Sequence, residues 1–475
     1  MMELQDFFVR ETPRMTALAD RIWSLAELRY AETASAQLHM DALAASGFRV
    51  TRNLADIPTA FMAEWGETGP VIAFLGEYDA LSGLNQQSGA LECTPSLDSP
   101  GAAGHGCGHH LLGTSAHFAA IALQAHLQAS GHQARVRYYG CPAEEGGSGK
   151  TFMARAGVFD DVDVALTWHP ASHSGVFSES TLANIQAKFI FHGKASHAAN
   201  SPHLGRSALD AVELMNVGVN YLREHMPPSA RVHYAVTDTG GLSPNVVQAR
   251  AEVLYLVRAV DNAETVALYQ RVQNVARGAA LMTDCKLDVV FDKACSNLLQ
   301  NTTLNRVLHE KLLAEGPLTV DASEQARAGR FQATLTPSDV DNVGRPLASV
   351  LRGRVPPVFE GVAPYDPTAE VVLAGSTDVA DVSWVTPTAQ AWVACFAFGT
   401  PMHSWQLVSQ GKTGLAHAGL VRAARVLTAT AIELIERPEL IAQARAELLE
   451  RRQGKPYTCP IPPEVPLPFK QPAVA

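Results

Sequence analysis

Apolar, β-prone segments alternate with helical segments over most of this chain, and the alternation restricts the folds that it can adopt. Strands are predicted in GPVIAFLGEYDAL, ARVRYYGCP, DVDVALTWHP and TAQAWVACFAFG, and a helix with a small-residue packing face is predicted in LLGTSAHFAAIALQAHLQAS. Regular alternation of strands and helices favours an open, mostly parallel sheet. The sequence therefore predicts the α/β fold class.

The pattern changes near residue 185 to the order β-α-β-β-α-β. Two helices on a four-stranded sheet make a module of roughly 110 residues, within the ~50–200 residues typical of a domain. We predict an inserted α+β domain over residues 186–296, which would serve as a lid and as a dimerisation surface through its exposed edge strand. The catalytic domain is predicted over 1–185 and 297–475, ending in a proline-rich tail. Within it, residues 316–370 are predicted to form irregular loops with short helices.

The composition excludes several classes of function. The chain has 475 residues, 47% hydrophobic and 18% charged, which suits about two domains with large cores. No apolar stretch reaches the ~18–20 residues of a membrane helix, and the start, MMELQDFFVRETPRM, lacks the order of an export signal, so we expect a cytoplasmic protein without membrane contact. A net charge of -10 without a basic stripe disfavours nucleic-acid binding. Seven widely spread cysteines favour reduced thiols over a disulfide framework.

Candidate metal ligands follow the predicted strands or open the predicted helix. Cys107 and His109 in GHGCGHH are one residue apart, so both can face one ion, although a buried thiol beside a helix-capping histidine explains the pair equally well. Glu144 and Glu145 in CPAEEGG are adjacent carboxylates after an apolar strand, and they would repel one another unless a cation lay beside them. The alternative for this pair is a solvated acidic loop.

Two histidines follow further apolar strands: His169 in LTWHP and His403 in GTPMHSW. Each of them alone is more often a structural residue than a ligand. Because the carboxyl ends of parallel strands meet at one edge of a sheet, we expect all of these side chains to gather there. Thiolate, imidazole and carboxylate ligands together suit Zn or Mn, so the sequence predicts a two-metal hydrolase.

These motifs, together with GEYDAL, GKASHAANSP and AGSTDVADVSW, resemble those of the two-metal amidohydrolases. That family includes aminoacylases, hippurate hydrolase, bacterial glutamate carboxypeptidases and the plant indole-3-acetyl-amino acid hydrolases. The resemblance covers nearly the whole chain and is greatest for the p-aminobenzoyl-glutamate hydrolase branch. It implies a catalytic domain like that of the zinc peptidases, with two divalent metal ions, Mn or Zn, in each subunit.

The resemblance also implies a role for each matching residue. The implied metal ligands are Cys107, His109, Glu145, His169 and His403. Glu144 would be the catalytic carboxylate, and Asp79 in EYDAL would support a metal ligand from behind. His197 in ASHAANSPHLG would reach the active site of a partner subunit.

Residues that would bind the carboxylate of a substrate are implied less directly. Asn245 in SPNVV and Arg258 in LYLVRA match residues with this role in the family, and Arg206 is a third candidate. The alternative for Arg258 is a position on the strand surface. His110 stands where the family usually has Asp or Asn. It belongs to a set of further histidines that we predict to be supporting or structural: His105, His110, His117 and His417. The alternative for His105 and His117 is a role as metal ligands, and His417 is a candidate cap of the closing helix.

The implied reaction is hydrolysis of an amide bond between an acyl group, expected to be aromatic, and an amino acid with a free carboxylate. The closest substrate would be p-aminobenzoyl-glutamate or a related acyl-glutamate. The alternatives are an indole-acetyl-aspartate or general N-acyl-amino acid hydrolase, or a dipeptidase. In a different class, the chain would be an inactive subunit of a heteromeric hydrolase, but the presence of Glu144 together with all five ligand candidates argues against this. We expect a homodimer through the inserted domain, with a second related subunit as a further partner.

Overall fold

The computed structural model describes residues 4–97 and 101–470. Its helices are α1 Leu4–Leu25, α2 Thr33–Ala45, α3 His109–Ser130, α4 Glu144–Gly147, α5 Gly149–Arg155, α6 Ala208–Leu222, α7 Asn262–Met282, α8 Thr302–Ala314, α9 Ala322–Gln332, α10 Pro337–Gly344, α11 Ala348–Leu351, α12 Val379–Val385, α13 Trp405–Gln410, α14 Gly414–Glu436 and α15 Pro438–Arg451. Its strands are β1 Arg49–Arg52, β2 Phe61–Trp65, β3 Val71–Gly76, β4 Leu81–Ser82, β5 Ala103–Gly104, β6 Arg135–Gly140, β7 Val164–Ala171, β8 Gly175–Val176, β9 Ser180–Thr181, β10 Ala183–His192, β11 Arg231–Asp238, β12 Arg250–Ala259, β13 Lys286–Cys295, β14 Val372–Leu373 and β15 Thr388–Ala394. No helix in the described ranges is long and apolar enough to cross a membrane.

These residues divide into two compact units, of which the second interrupts the first. The first unit runs to residue 179 and resumes over 299–371 and 382–457. The second, the inserted unit, takes 180–298, 372–381 and the described residues from 458 onward. The segments 372–381 and 458 onward lie far from residues 180–298 in the sequence, and only the fold shows that they belong to the same unit. In the first of them, β14 pairs in parallel with β9.

The first unit is built on a seven-stranded sheet in the order β1-β2-β6-β3-β7-β15-β8. Strands β6, β3, β7 and β15 run parallel to one another, whereas β2 pairs antiparallel with β6, β1 with β2, and β8 with β15. All six residues of β3 are buried, as expected for a central strand covered on both faces. Helices α3 and α14 pack against each other, and α3 packs on β3. The sequence-based prediction of an α/β fold with a mostly parallel sheet is confirmed.

The inserted unit contains a four-stranded antiparallel sheet in the order β11-β12-β10-β13. Along β12, buried residues alternate strictly with partly exposed ones, which is the pattern of a strand with one face against helices. Helices α6 and α7 pack on this sheet. Each begins at a side-chain cap, because Ser207 accepts the N–H of Asp210 and Asp261 accepts the N–H of Glu264.

The carboxyl-terminal part of the first unit contains helices that the sequence pattern marks weakly. We did not predict α15, whose buried residues are Leu440, Ile441, Ala444 and Leu448. Its Glu447 caps α8 by accepting the N–H groups of Thr302 and Thr303. The segment 316–370 contains the short helices α9, α10 and α11.

Candidate metal centre

Parallel strands carry several polar side chains to one edge of the first unit's sheet. Glu77 and Asp79 follow β3, and Glu144 and Glu145 follow β6. His169 lies within β7, two residues before its end, and not after the strand. Because β6, β3 and β7 are parallel neighbours, their carboxyl ends lie at the same edge.

Two loops bring the remaining candidates to this edge. Cys107 precedes α3, which begins at His109. Between them, Gly108 has a φ of +79°, and a Cβ at this position would lie 3.1 Å from a side chain of β7. A glycine is therefore needed for the close approach of the loop to the strand. In the second loop, the N–H of His403 donates a 2.8 Å hydrogen bond to the carbonyl of Gly106, which ties the two loops together.

The donor atoms form three overlapping groups, and within each group they lie no more than 4.8 Å apart. The groups are Cys107, His109 and His169; Cys107, Glu145 and His403; and Glu77, His109 and Glu144. The Sγ of Cys107 lies 3.4 Å from Nε2 of His169. The structure thus gathers every residue that the sequence nominated as a ligand, together with Glu144. The shared members Cys107 and His109 connect the groups into one centre.

Two donor atoms in this centre are buried without a hydrogen-bond partner among the described residues: Nε2 of His109 and Oε1 of Glu145. Nε2 of His109 lies 3.2 Å from Oε2 of Glu77, and Oε1 of Glu145 lies 3.2 Å from Nε2 of His403. Both pairs are close, but neither has the geometry of a hydrogen bond. Buried polar atoms are almost always satisfied. Divalent cations held by these atoms would satisfy them, so the donor set fits metal.

Asp79 supports the centre from behind. Its Oδ1 lies 2.8 Å from Nδ1 of His109, and its Oδ2 accepts the backbone N–H of Glu145 at 2.7 Å. A carboxylate on one imidazole nitrogen fixes the tautomer and leaves the other nitrogen to face a metal. Asp79 therefore holds the imidazole of His109 and the backbone of Glu145 at once.

We did not single out Glu77 and Lys150 from the sequence. Lys150 is completely buried, and its Nζ lies 2.6 Å from Oε1 of Glu77, whose other oxygen faces His109. A buried lysine needs such a carboxylate partner, because an unpaired charge in the interior is strongly unfavourable. The available signal was the first acid of GEYDAL together with a lysine in the glycine-rich GGSGK segment.

In the inserted unit, the predicted substrate-binding residues lie at two different ends of the sheet. His197 and Asn245 are both exposed, and a 3.0 Å hydrogen bond from the N–H of Ala198 to the carbonyl of Asn245 joins their loops. Arg258 lies near the end of β12, paired with the first residues of β10. The loop of His197 follows the other end of β10, about eight strand residues or roughly 26 Å away. One inserted unit alone therefore does not bring Arg258 to His197.

Both predicted substrate-binding arginines have protein partners. Nη1 of Arg258 donates a 2.7 Å hydrogen bond to Oγ of Ser376. Nε of Arg206 lies 3.1 Å from Oδ2 of Asp284 in an exposed ion pair. Arg206 is thus partly neutralised within its own unit.

Comparison with known proteins identifies the family. Residues 181–282 match the peptidase dimerisation domain of M20. The chain is 50% identical over 477 residues to one of the subunits of p-aminobenzoyl-glutamate hydrolase from Escherichia coli strain K12, and the alignment covers 98% of each chain. The chain belongs to the M20 peptidase family.

Two further M20-like proteins extend the comparison. The Xaa-Arg dipeptidase of Mus musculus is 30% identical, and the alignment covers 91% of this chain and 88% of the mouse protein. The crystal structure of a dinuclear metal binding peptidase of the M20 family from Bacillus subtilis matches with a TM-score of 0.56 at 17% identity, over 90% of this chain and 98% of that chain. The second comparison supports the M20 fold alone.

Burial and charge set the protonation of the ligand candidates in this M20 chain. Burial raises the pKa of the Cys107 thiol well above its usual range, and the negative charge of Glu145 adds to the effect. Burial would also raise the pKa of Glu145, but the adjacent imidazole of His403 and the nearby His109 lower it to about 2. Burial lowers the pKa of His169 to about 4, so this imidazole is neutral at pH 7. A metal ion bound by Cys107 must displace the proton of the thiol, so uptake of metal releases protons.

The four supporting histidines of the M20 chain lie outside the three donor groups. His105 and His110 each place Nε2 near a backbone carbonyl, at 3.1 Å and 2.9 Å. His117 places Nδ1 3.2 Å from Nδ1 of another buried histidine, and His417 places Nε2 2.8 Å from an aspartate of α1. Thr413, and not His417, caps α14.

Proposed function

We propose that the chain hydrolyses the amide bond of an N-acyl amino acid, with p-aminobenzoyl-glutamate or a related acyl-glutamate as the substrate class. The observation that carries the proposal is the convergence of Cys107, His109, Glu145, His169 and His403 with Glu144 at one sheet edge. The choice of substrate is supported by the 50% identity to the E. coli hydrolase chain over almost the entire length.

The five ligand candidates would hold two divalent ions, Mn or Zn, each ligand type being suited to these metals. When bound, such a pair of ions supplies Lewis acidity toward a carbonyl oxygen and toward a nucleophilic water. Glu144 has a carboxylate oxygen within 4.8 Å of ligand atoms of Glu77 and His109. From there it would take a proton from the attacking water and return it to the leaving amine.

Recognition of the amino-acid half requires a cation or amide donors for its carboxylate. Arg258, Asn245 and Arg206 are the proposed groups. Because Arg258 and Asn245 lie at opposite ends of the inserted sheet, we propose that one site uses them from two different subunits. A homodimer through the inserted unit would supply this arrangement, and the dimerisation domain match supports it.

His197 is proposed to act in trans, on the site of the partner subunit, by donating a hydrogen bond to the developing oxyanion. Mixing an inactive His197→Ala chain with an inactive Glu144→Gln chain should restore part of the activity, because one hybrid site is intact. Full activity of a monomer, established by light scattering under assay conditions, would contradict this assembly.

A second, related chain is proposed as a further partner. Two E. coli relatives of this chain, 50% and 29% identical to it, are named as the two different subunits of p-aminobenzoyl-glutamate hydrolase, and this naming supports the proposal. Adding such a related chain to the purified protein tests whether it is required. Full turnover of acyl-glutamate without it would show that one gene product is sufficient.

The test of the function is release of amine from a panel of substrates by protein loaded with Mn or with Zn. The panel contains acyl-glutamates, acyl-aspartates, acyl-alanines and plain dipeptides. The proposal predicts the highest kcat/KM for aromatic acyl-glutamates. A second candidate, dipeptide hydrolysis, is favoured by the 30% identity to the mouse dipeptidase. Preference for unblocked dipeptides would select that candidate, and equal rates across the panel would reject a preference for acidic amino acids.

A further inference from the structure

A polar cleft lies in the first unit apart from the candidate metal centre, and the proposed reaction makes no use of it. It has a volume of about 280 Å³ and is formed where α1, the segment after α8 and one face of α14 meet. Its walls include Thr12, Glu315, His417, Arg422 and Arg425. None of the metal-ligand candidates lines it. The cleft is large enough for several waters or for one small ligand.

Two arginines one turn apart on α14 supply positive charge to the wall of the cleft. Arg422 is only 4% exposed, and Arg425 is partly buried. The Nε of each guanidinium has no hydrogen-bond partner among the described residues. Arg422 donates from Nη2 to the carbonyl of Leu312 over a long distance of 3.4 Å. The planar guanidinium of a buried arginine is normally paired with a carboxylate, so Arg422 is poorly satisfied.

The two arginines of the cleft differ in their partners. Glu315 lies 3.2 Å from Nη1 of Arg425 and neutralises that cation. His417 is paired with Asp20 at 2.8 Å. Burial lowers the pKa of Arg422, and only the more distant charge of Glu315 opposes the effect. Arg422 is therefore left without a carboxylate at ion-pair distance among the described residues, in a concave, mostly buried place, and such an arginine attracts an anion.

We propose that this cleft binds a small oxyanion, a carboxylate or a phosphate group, held by the guanidinium groups of Arg422 and Arg425. Arginine presents paired N–H donors that match two oxygens of either group. Bound there, the anion accepts from guanidinium N–H groups of the two arginines and offsets the charge of Arg422. The site is separate from the proposed amidohydrolase chemistry, so either proposal can fail without the other.

The test is titration calorimetry of the metal-loaded protein with inorganic phosphate in one arm and acetate in the other. Phosphate also binds metal centres, so the readout is binding that depends on the two arginines. Arg422→Gln and Arg425→Gln should each weaken the Kd by about 10- to 150-fold, the range for loss of a charged hydrogen bond. Arg445→Gln, which removes a 64% exposed arginine of α15, is the matched control and should leave the Kd unchanged.

Thermal unfolding provides a second measurement. Saturating anion should raise the Tm of the unsubstituted protein by a few degrees, through preferential binding to the folded state, and should raise the Tm of Arg422→Gln much less. Response to one anion alone assigns the site to that group, and response to both assigns it to oxyanions in general. If Arg422→Gln does not fold, Arg425→Gln decides. Anion binding with the same Kd in the variants and in the unsubstituted protein, or no saturable binding in either arm, overturns the proposal.

Discussion

The metal centre of the first unit and the substrate-binding candidates of the inserted unit differ in how completely one chain builds them. In the centre, His109 is fully buried and is held by Asp79 on one side while its other nitrogen faces Glu77. In the inserted unit, His197 and Asn245 are exposed, and Arg258 lies at the other end of the sheet. One chain brings all of the metal-ligand candidates together, whereas in one chain the substrate-binding candidates remain at different ends of the inserted sheet.

The difference follows from what each site must do. Metal ligands must hold their donor atoms in a fixed geometry, and the ends of buried strands and rigid loops provide that. Substrate-binding groups must admit and release a small molecule, so they can lie on mobile or shared surfaces. Substitutions in the metal centre should therefore change metal content, whereas substitutions in the inserted unit should change kcat/KM without loss of metal.

The largest effect is expected at the ligands themselves. Cys107→Ser and His169→Ala should lose most of the bound metal and nearly all activity, beyond the roughly 10- to 100-fold cost typical of groups that only orient a ligand. Elemental analysis after dialysis, combined with turnover measurements, provides the check. Arg258→Ala is the control from the inserted unit and should keep its metal. Activity in a preparation that contains no metal would contradict the assignment of these residues as metal ligands.

The next effect is expected at Glu144, which lies in the centre but is proposed to carry a proton. Glu144→Gln keeps the shape of the side chain and removes the base, so kcat should fall by roughly 10²–10⁴-fold. Metal content should stay at the level of the unsubstituted protein. Loss of metal in this variant would reassign Glu144 as a ligand.

A smaller effect is expected in the inserted unit. Arg258→Ala should lower kcat/KM for p-aminobenzoyl-glutamate by about 10- to 150-fold, corresponding to roughly 1.5–3 kcal/mol for a charge-assisted hydrogen bond. The same variant should lose much less with a substrate whose α-carboxylate is blocked as an amide. Arg445→Ala, at an exposed position in the first unit, should change neither value. Equal losses with both substrates would show that Arg258 acts only through the fold.

The last effect concerns acid stability and leaves catalysis aside, and it should also distinguish the units. Burial lowers the pKa of His39 from 6.5 to about 3, and burial together with His39 lowers the pKa of His117. Because the unfolded chain binds these protons more readily, stability is lost as the pH falls from near 6.5 toward 3, by up to about 1.4 kcal/mol per pH unit for each group. The double variant His39→Gln/His117→Gln should show a flatter decline in chemical unfolding between pH 6.5 and 4.5. His225→Gln, at an exposed position in the inserted unit, should not.

The sequence nominates candidate ligands where short motifs carry the chemistry. GHGCGHH, CPAEEGG, LTWHP and GTPMHSW each place a candidate ligand near an apolar strand or a helix start, and strand polarity favours their meeting at one sheet edge. Helix α15 was not predicted, because its large apolar side chains lie only near its two ends, with Ala, Gln, Arg and Glu between them. Residues 98–100 and 471–475, part of the predicted loop and of the proline-rich tail, lie outside the described residues.

The sequence by itself determined the α/β class, and it predicted the inserted module and nominated the candidate ligands, because periodicity and local motifs depend on residues that are close in the chain. Only the tertiary structure decided which atoms are neighbours. It paired Lys150 with Glu77, set Arg422 in a cleft beside the carbonyl of Leu312, and placed Arg258 far from the loop of His197. Each of these relations involves segments that are distant in sequence. Their separation in space is set by packing of the whole unit and not by any local sequence pattern.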